Sequence, residues 1–319
     1  MLIEHYNAAR NHVAVVRQHG MGLLKLTGPE RQSWLQGMVT NEVEKLTPGQ
    51  GCYAAHLNAQ GRVVAQMIVL VTEDEELWLL VEKAATAKLA AVFDRLIIME
   101  DVQVHDASND YEVLGLLGPE ADRVFEQWSG QPFPDKIPYR HQRIGTARVC
   151  LTDLGYEVIV PRDAAGEALR RLTDAGAIEI DEDTWNVLRA EAGLPIYGVD
   201  VDETTTMPEL GPRGISYDKG CYIGQEVVAR IKYIGHVNRR FVGFLCQGSS
   251  VPEARSLVQI QGKDVGYVTT GVFSPGLDKP IALGFVNRAA GEPGTAVMLI
   301  GKSGGIPAVV ASLPFPGRS

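Results

Sequence analysis

From residue 237 to its end the chain leaves no room for a helix, and this is the feature that most narrows what it can fold into. Short runs rich in β-branched residues at 240–245, 257–261, 263–270, 281–286 and 296–300 are separated by turn chemistry at Gly262, Ser274-Pro275-Gly276 and Gly291-Glu292-Pro293-Gly294. Strands so short must pair with one another, since nothing longer lies between them to cover an apolar face. The spacing predicts a small separate β-barrel or sandwich that begins between Asn238 and Arg240. The tail Leu313-Pro314-Phe315-Pro316-Gly317 reads as a packed, extended end.

The residues before 237 follow another pattern. A strand at 23–27 runs into Thr27-Gly28-Pro29-Glu30, a helix start in which proline sits where its missing N–H costs nothing. Runs at 52–57 and 62–71 flank Asn58-Ala59-Gln60-Gly61 and predict a hairpin. After a strand at 77–81, Leu89, Val92, Phe93, Leu96 and Ile97 share one helical stripe, which is core. Strands at 102–105 and 111–117 precede a helix from Gly118-Pro119-Glu120 to about Trp128. A second hairpin, 146–151 with 155–160, precedes another helix, and Asp181 caps the next, with Trp185, Leu188 and Ala192 facing inward. Strand pairs alternating with helices on one side make the chain α+β. No glycine-rich dinucleotide or phosphate loop occurs where it would count. A chain of 319 residues is long enough for two or three domains, placed here at 1–140, 141–238 and 239–319.

The net charge of −9 argues against direct nucleic-acid binding, which relies on clustered Lys and Arg. The N-terminus shows no basic start followed by an apolar run, and the longest apolar stretch, 63–71, is broken by Gln66, so neither a secretion signal nor a membrane span is expected. Cys52, Cys150, Cys221 and Cys246 lie far apart with no Cys-x-x-Cys, which predicts free thiols in a reducing cytoplasm and no metal site from spacing alone.

One of these cysteines stands in a reactive setting, Lys219-Gly220-Cys221-Tyr222-Ile223-Gly224-Gln225-Glu226. Gly224 ends an irregular turn and Gln225 opens a helix that Gly235 stops, so Cys221 precedes a helix N-terminus. There the helix dipole and the charge of Lys219 are expected to ease ionisation of the thiol. The competing reading is a small buried cysteine filling a turn. Upstream, Glu191 falls at the edge of the inner stripe of its helix, aimed at whatever that helix covers; the alternative is an exposed helix-end glutamate.

The cysteine motif, together with residues 188–198 (Leu-Arg-Ala-Glu-Ala-Gly-Leu-Pro-Ile-Tyr-Gly), residues 266–275 (Gly-Tyr-Val-Thr-Thr-Gly-Val-Phe-Ser-Pro) and Leu26-Thr27-Gly28-Pro29-Glu30-Arg31, resembles the folate-binding aminomethyltransferase superfamily founded on the glycine-cleavage T-protein. Lys-Gly-Cys-Tyr-x-Gly-Gln-Glu resembles its YgfZ-type branch, whose members maintain iron–sulfur enzymes and, through them, some tRNA modifications. The resemblance implies a three-domain cloverleaf around a central folate pocket, ending in the small C-terminal β-barrel. It implies tetrahydrofolate as cofactor, Glu191 as the carboxylate that reads the pterin, Tyr197, Tyr156 and Gln225 at the pocket, and Cys221 with Lys219 as the functional thiol and its cation. Iron–sulfur enzymes or their assembly proteins would be partners. A carboxylate suits a pterin, which presents an amino group and a ring N–H side by side.

One departure weighs against the transferase reaction. Members that carry it out have two consecutive aspartates after a Gly-Gly, where this chain has Gly61-Arg62-Val63-Val64-Ala65-Gln66. Loss of a general acid–base group typically costs about 10² to 10⁴ fold in rate. Three functions are therefore set against one another: a tetrahydrofolate-binding accessory protein for iron–sulfur enzymes, which the sequence favours; a folate-dependent aminomethyltransferase or demethylase; and a thiol hydrolase pairing Cys221 with His56, His105, His141 or His236.

Overall fold

The computed structural model describes residues 2–302 and 304–316, so Gly317 of the tail lies outside the described residues. The chain divides into two compact units, Met1–Thr184 with Arg213–Gln225, and Trp185–Pro212 with Glu226–Ser319.

The first unit holds two sheets. One is antiparallel, in the order Gly51–Leu57, Val63–Val71, Leu77–Glu82, Met21–Thr27, Gln103–Asp106. The expected hairpin is its edge, with Ala55 opposite Gln66 and a register shift between His56 and Leu57. Helix Lys83–Leu96 lies against this sheet through Leu89 and Phe93, and the ring of Phe93 meets Trp34 and His56 edge-on with centroids 5.1 Å apart.

The second sheet runs Ile178–Glu179, Ala14–Arg17, Tyr111–Leu117, Gly155–Pro161, Ala147–Leu151, His141–Ile144, antiparallel except for its first pair. Alternation along a strand sends successive side chains to opposite faces, and here both faces are buried. Tyr156, Val158 and Val160 join Val124, Phe125, Trp128 and Leu172 under helices Ala121–Ser129 and Ala165–Asp174. Ile159 and Cys150 face the other way, against Leu23, Leu70, Trp78 and Leu80 of the first sheet. On that side burial drives the Glu157 carboxyl up to about 7, although Gln18 Nε2 donates to it at 2.6 Å.

At the edge of this sheet sits His141, 2% exposed, which accepts a hydrogen bond from Arg148 Nη1 at 3.0 Å while its Nε2 lies 3.2 Å from the Gln50 carbonyl. The neutral ring uses both nitrogens, whereas protonation would set two cations side by side. Burial first, then the Arg148 charge, pulls the imidazole down to about 4. A folded value below the unfolded one of about 6.5 means that the unfolded chain binds more protons between those values, so stability falls as pH drops through that window. The full effect is about 3 kcal/mol. Urea unfolding from about pH 7 to about pH 4.5 is expected to show a steeper loss for the wild type than for His141→Gln, which keeps the polar contacts without the titration. Equal slopes would remove His141 as the acid-sensitive group; comparing slopes also cancels the opposing contribution of Glu157.

In the second unit the expected β domain is a closed barrel of six antiparallel strands. Around the ring they are Arg239–Cys246, Lys279–Asn287, Lys263–Ser274, Leu257–Ile260, Ala296–Gly301 and Gly304–Ala311, the last pairing back to the first. Val242, Phe244, Val258, Val268, Val286, Leu299 and Val310 fill the interior, and closure leaves no unpaired edge. Phe315 of the tail is buried against Gly243. No helix among the described residues is long and apolar enough to cross a membrane.

Candidate functional site

Residues 219–225 of the cysteine motif lie in the first unit, on a segment whose path is fixed by glycine. Gly224 has φ +82°, and a Cβ there would stand 2.7 Å from the Asn58 carbonyl oxygen and 2.9 Å from Leu57 Cβ. Only glycine allows both that conformation and that approach. Gln225, half-buried, then opens helix Gln225–Tyr233 with its N–H donating to the Tyr222 carbonyl at 3.1 Å. Among the described residues Cys221 is the exposed cysteine, while Cys52, Cys150 and Cys246 are buried. Burial pushes the Cys52 and Cys246 thiols to about 12 and the Cys150 thiol well above its ordinary value. The reading of Cys221 as a buried turn filler therefore gives way to an accessible thiol.

Lys219 is 7% exposed, and its ammonium donates to the carbonyls of Gln36, Val39 and Asn41 at 2.7, 2.7 and 2.6 Å. Burial draws it down to about 8, against the opposing pull of Glu42, Cys52 and Glu44.

The same unit assembles a group that sequence reasoning missed. Gln66 is 2% exposed and its Nε2 donates to the Tyr53 hydroxyl, while its Oε1 has no hydrogen-bond partner among the described residues. The Arg213 guanidinium stacks over the Tyr53 ring at 4.3 Å, donates to the Tyr139 hydroxyl at 2.6 Å and pairs with Asp153. Burial pushes the Tyr53 phenol upward, so it stays protonated. The hairpin register, with Ala55 opposite Gln66, could have placed Tyr53 diagonally beside Gln66, but no local signal brings in Arg213.

Tyr156 takes a packing role, its ring stacked on Phe125 with centroids 5.1 Å apart and its hydroxyl donating to Asp122 at 2.5 Å. Of the histidines weighed against Cys221, His56 hydrogen-bonds the Met38 carbonyl oxygen at 2.7 Å and His141 is held as described above.

Glu191 lies in the second unit, at the end of helix Glu182–Glu191, and is not an exposed helix-end residue: it is 3% exposed. Its Oε1 accepts from Ser274 Oγ at 2.5 Å, and its main-chain carbonyl accepts from Phe315 N at 3.1 Å. Two residues earlier Arg189 donates from Nη1 to Asp200 Oδ2 at 2.5 Å and from Nη2 to Thr270 Oγ1 at 2.9 Å. Thr269 and Thr270 donate to Asp200 Oδ1 at 2.5 and 2.7 Å. Since Thr269, Thr270 and Ser274 share strand Lys263–Ser274, this network fixes the height of Glu191 on the barrel. Tyr197, half-buried, forms a parallel bridge with Val201 just beyond.

Two domain families match this architecture in sequence: the GCVT N-terminal domain over residues 1–215 and the glycine cleavage T-protein C-terminal barrel domain over residues 239–316. The chain therefore belongs to the glycine cleavage T-protein family. It is 30% identical to an aminomethyltransferase of Nostoc sp. over 97% of this chain and 86% of that one. It is 28% identical to an aminomethyltransferase of Halothermothrix orenii over 98% of this chain and 91% of that one. The fold matches the crystal structure of glycine cleavage system aminomethyltransferase T from Bartonella henselae with a TM-score of 0.89 at 22% identity, covering 99% of this chain and 89% of that one. Residues 216–238, which carry the cysteine motif, fall between the two matched domains.

Proposed function

We propose that the chain binds tetrahydrofolate and acts in one-carbon transfer to it. The observation that carries this reading is the alignment of nearly the whole chain with aminomethyltransferases. Glu191 supports it, since a buried carboxylate with two acceptor oxygens matches the two neighbouring N–H groups of a pterin. Tetrahydrofolate would supply the nitrogen that receives the carbon; Glu191 would orient the ring. The test is to incubate the protein with tetrahydrofolate and an aminomethyl donor and to follow methylenetetrahydrofolate together with the ammonia released. Product formed in step with donor consumed is the expected result, and folate binding without turnover of any such donor overturns it.

One observation favours a second reading. Where transfer would call on a carboxylate, the buried side chains are Ala65 and Gln66, and a neutral amide accepts a hydrogen bond without carrying a proton. A folate-binding protein of the YgfZ-type branch, with Cys221 as its functional thiol in support of iron–sulfur enzymes, is consistent with that exchange. Under this reading tetrahydrofolate binds without turnover, and Cys221→Ala fails to restore iron–sulfur enzyme activity in a deletion strain.

A further inference from the structure

We propose that Lys219 is a positioning residue, whose ammonium pins the segment presenting Cys221 to the backbone of residues 36–41. An ammonium has three N–H donors, and here each meets a separate main-chain carbonyl at charge-assisted distance, those of Gln36, Val39 and Asn41. The Gln36 carbonyl is the last of helix Arg31–Gln36, where the helix dipole favours a cation. The pinning is reinforced on both sides in sequence. Ile223 N donates to the Gly37 carbonyl at 3.2 Å and Ser216 N to the Thr40 carbonyl at 3.0 Å, while Thr40 Oγ1 donates to the Gly214 carbonyl at 2.6 Å.

Exposure along the motif shows the consequence. Lys219 and Tyr222 are buried, with the Lys219 ammonium 5.2 Å from the centre of the Tyr222 ring, whereas Gly220 and Cys221 between them are exposed. The thiol is thus presented on a two-residue step between two anchors. Gly220 has no side chain to stiffen that step, so without the first anchor the thiol would lose its fixed direction. The anchor has been built from backbone carbonyls, which neither titrate nor reorient, and so holds under conditions that would disturb a carboxylate partner.

The importance of the anchor for function rests on Cys221 being the working thiol, but the anchor itself is tested without that assumption, on the unliganded full chain. Lys219→Met keeps the length and removes the charge. Amide hydrogen exchange at Ser216 and Ile223 is expected to accelerate at least tenfold, with protection unchanged in strand Val63–Val71. The rate of Cys221 alkylation by iodoacetamide is expected to change at least threefold in the same variant. In Lys219→Ala, methylammonium at tens of millimolar is expected to restore part of the protection, which a merely volumetric role would not produce. Unchanged exchange at Ile223, loss of protection throughout the sheet, or no rescue by methylammonium would each overturn the proposal. A harmless Cys221→Ala exchange in the iron–sulfur or transfer assays would count against the functional reading alone.

Discussion

Replacing Asp200 by alanine is expected to cost the barrel-containing unit about 3–5 kcal/mol, the usual penalty for removing one partner of a buried ion pair. The reason lies in what the carboxylate holds. It pairs with Arg189, accepts the hydroxyls of Thr269 and Thr270, and takes the N–H of Ile196 at 3.0 Å. Alanine leaves a guanidinium with no anion in a buried site and takes the acceptor from the Thr270 hydroxyl and the Ile196 amide, each of which costs about 1–3 kcal/mol when buried, while Thr269 keeps the Leu283 carbonyl at 3.2 Å. Urea unfolding followed by circular dichroism checks the size of the loss. A double variant, Arg189→Met with Asp200→Leu, separates the charge from the packing: with no unpaired cation it is expected to recover more than half of the loss. A single variant within about 1 kcal/mol of wild type would show that the pair contributes no more than a surface salt bridge does.

This network also marks the limit of what could be read from the sequence. The hairpins, helix Lys83–Leu96 and the barrel were legible because each depends on local periodicity and turn residues. The sixth barrel strand, Gly304–Ala311, was not, since Gly304, Gly305 and Pro307 all weaken the strand signal. It is stable because closure of the barrel supplies partners on both sides. Helix Ile3–Asn11 escaped for a different reason: it buries only Tyr6, Ala8 and Ala9, too slight a stripe to stand out. At the candidate site, residue types were legible and partners were not. Lys219 two positions before Cys221 suggested an electrostatic role for the thiol, yet the chain turns so that its charge meets a loop some 180 residues away in sequence. Glu191 stood at the edge of its stripe, and its contact with Ser274, 83 residues on, is tertiary. Long-range contacts of this kind depend on tertiary closure, which periodicity does not encode.

Glu191→Gln is expected to weaken tetrahydrofolate binding by about ten- to a hundredfold. Hydrogen bonds to a charged group contribute about 1.5–3 kcal/mol, and each 1.4 kcal/mol is a tenfold change in affinity. A carboxylate has two acceptor oxygens to match the adjacent N–H groups of a pterin. Glutamine keeps the length and still accepts from Ser274 through its carbonyl oxygen, but its NH₂ then opposes a ligand donor. For that reason the isosteric change is expected to be nearly as damaging as Glu191→Ala. Ser274→Ala, which removes only the hydroxyl that orients Oε1, is expected to cost a few-fold. Calorimetric titration of tetrahydrofolate into the four proteins gives the order wild type, Ser274→Ala, Glu191→Gln, Glu191→Ala, with a thermal melt of each to confirm folding. A Glu191→Gln protein that binds within twofold of wild type would show that the carboxylate serves the barrel through Ser274 and not the ligand, and would leave the pterin to be recognised by other residues.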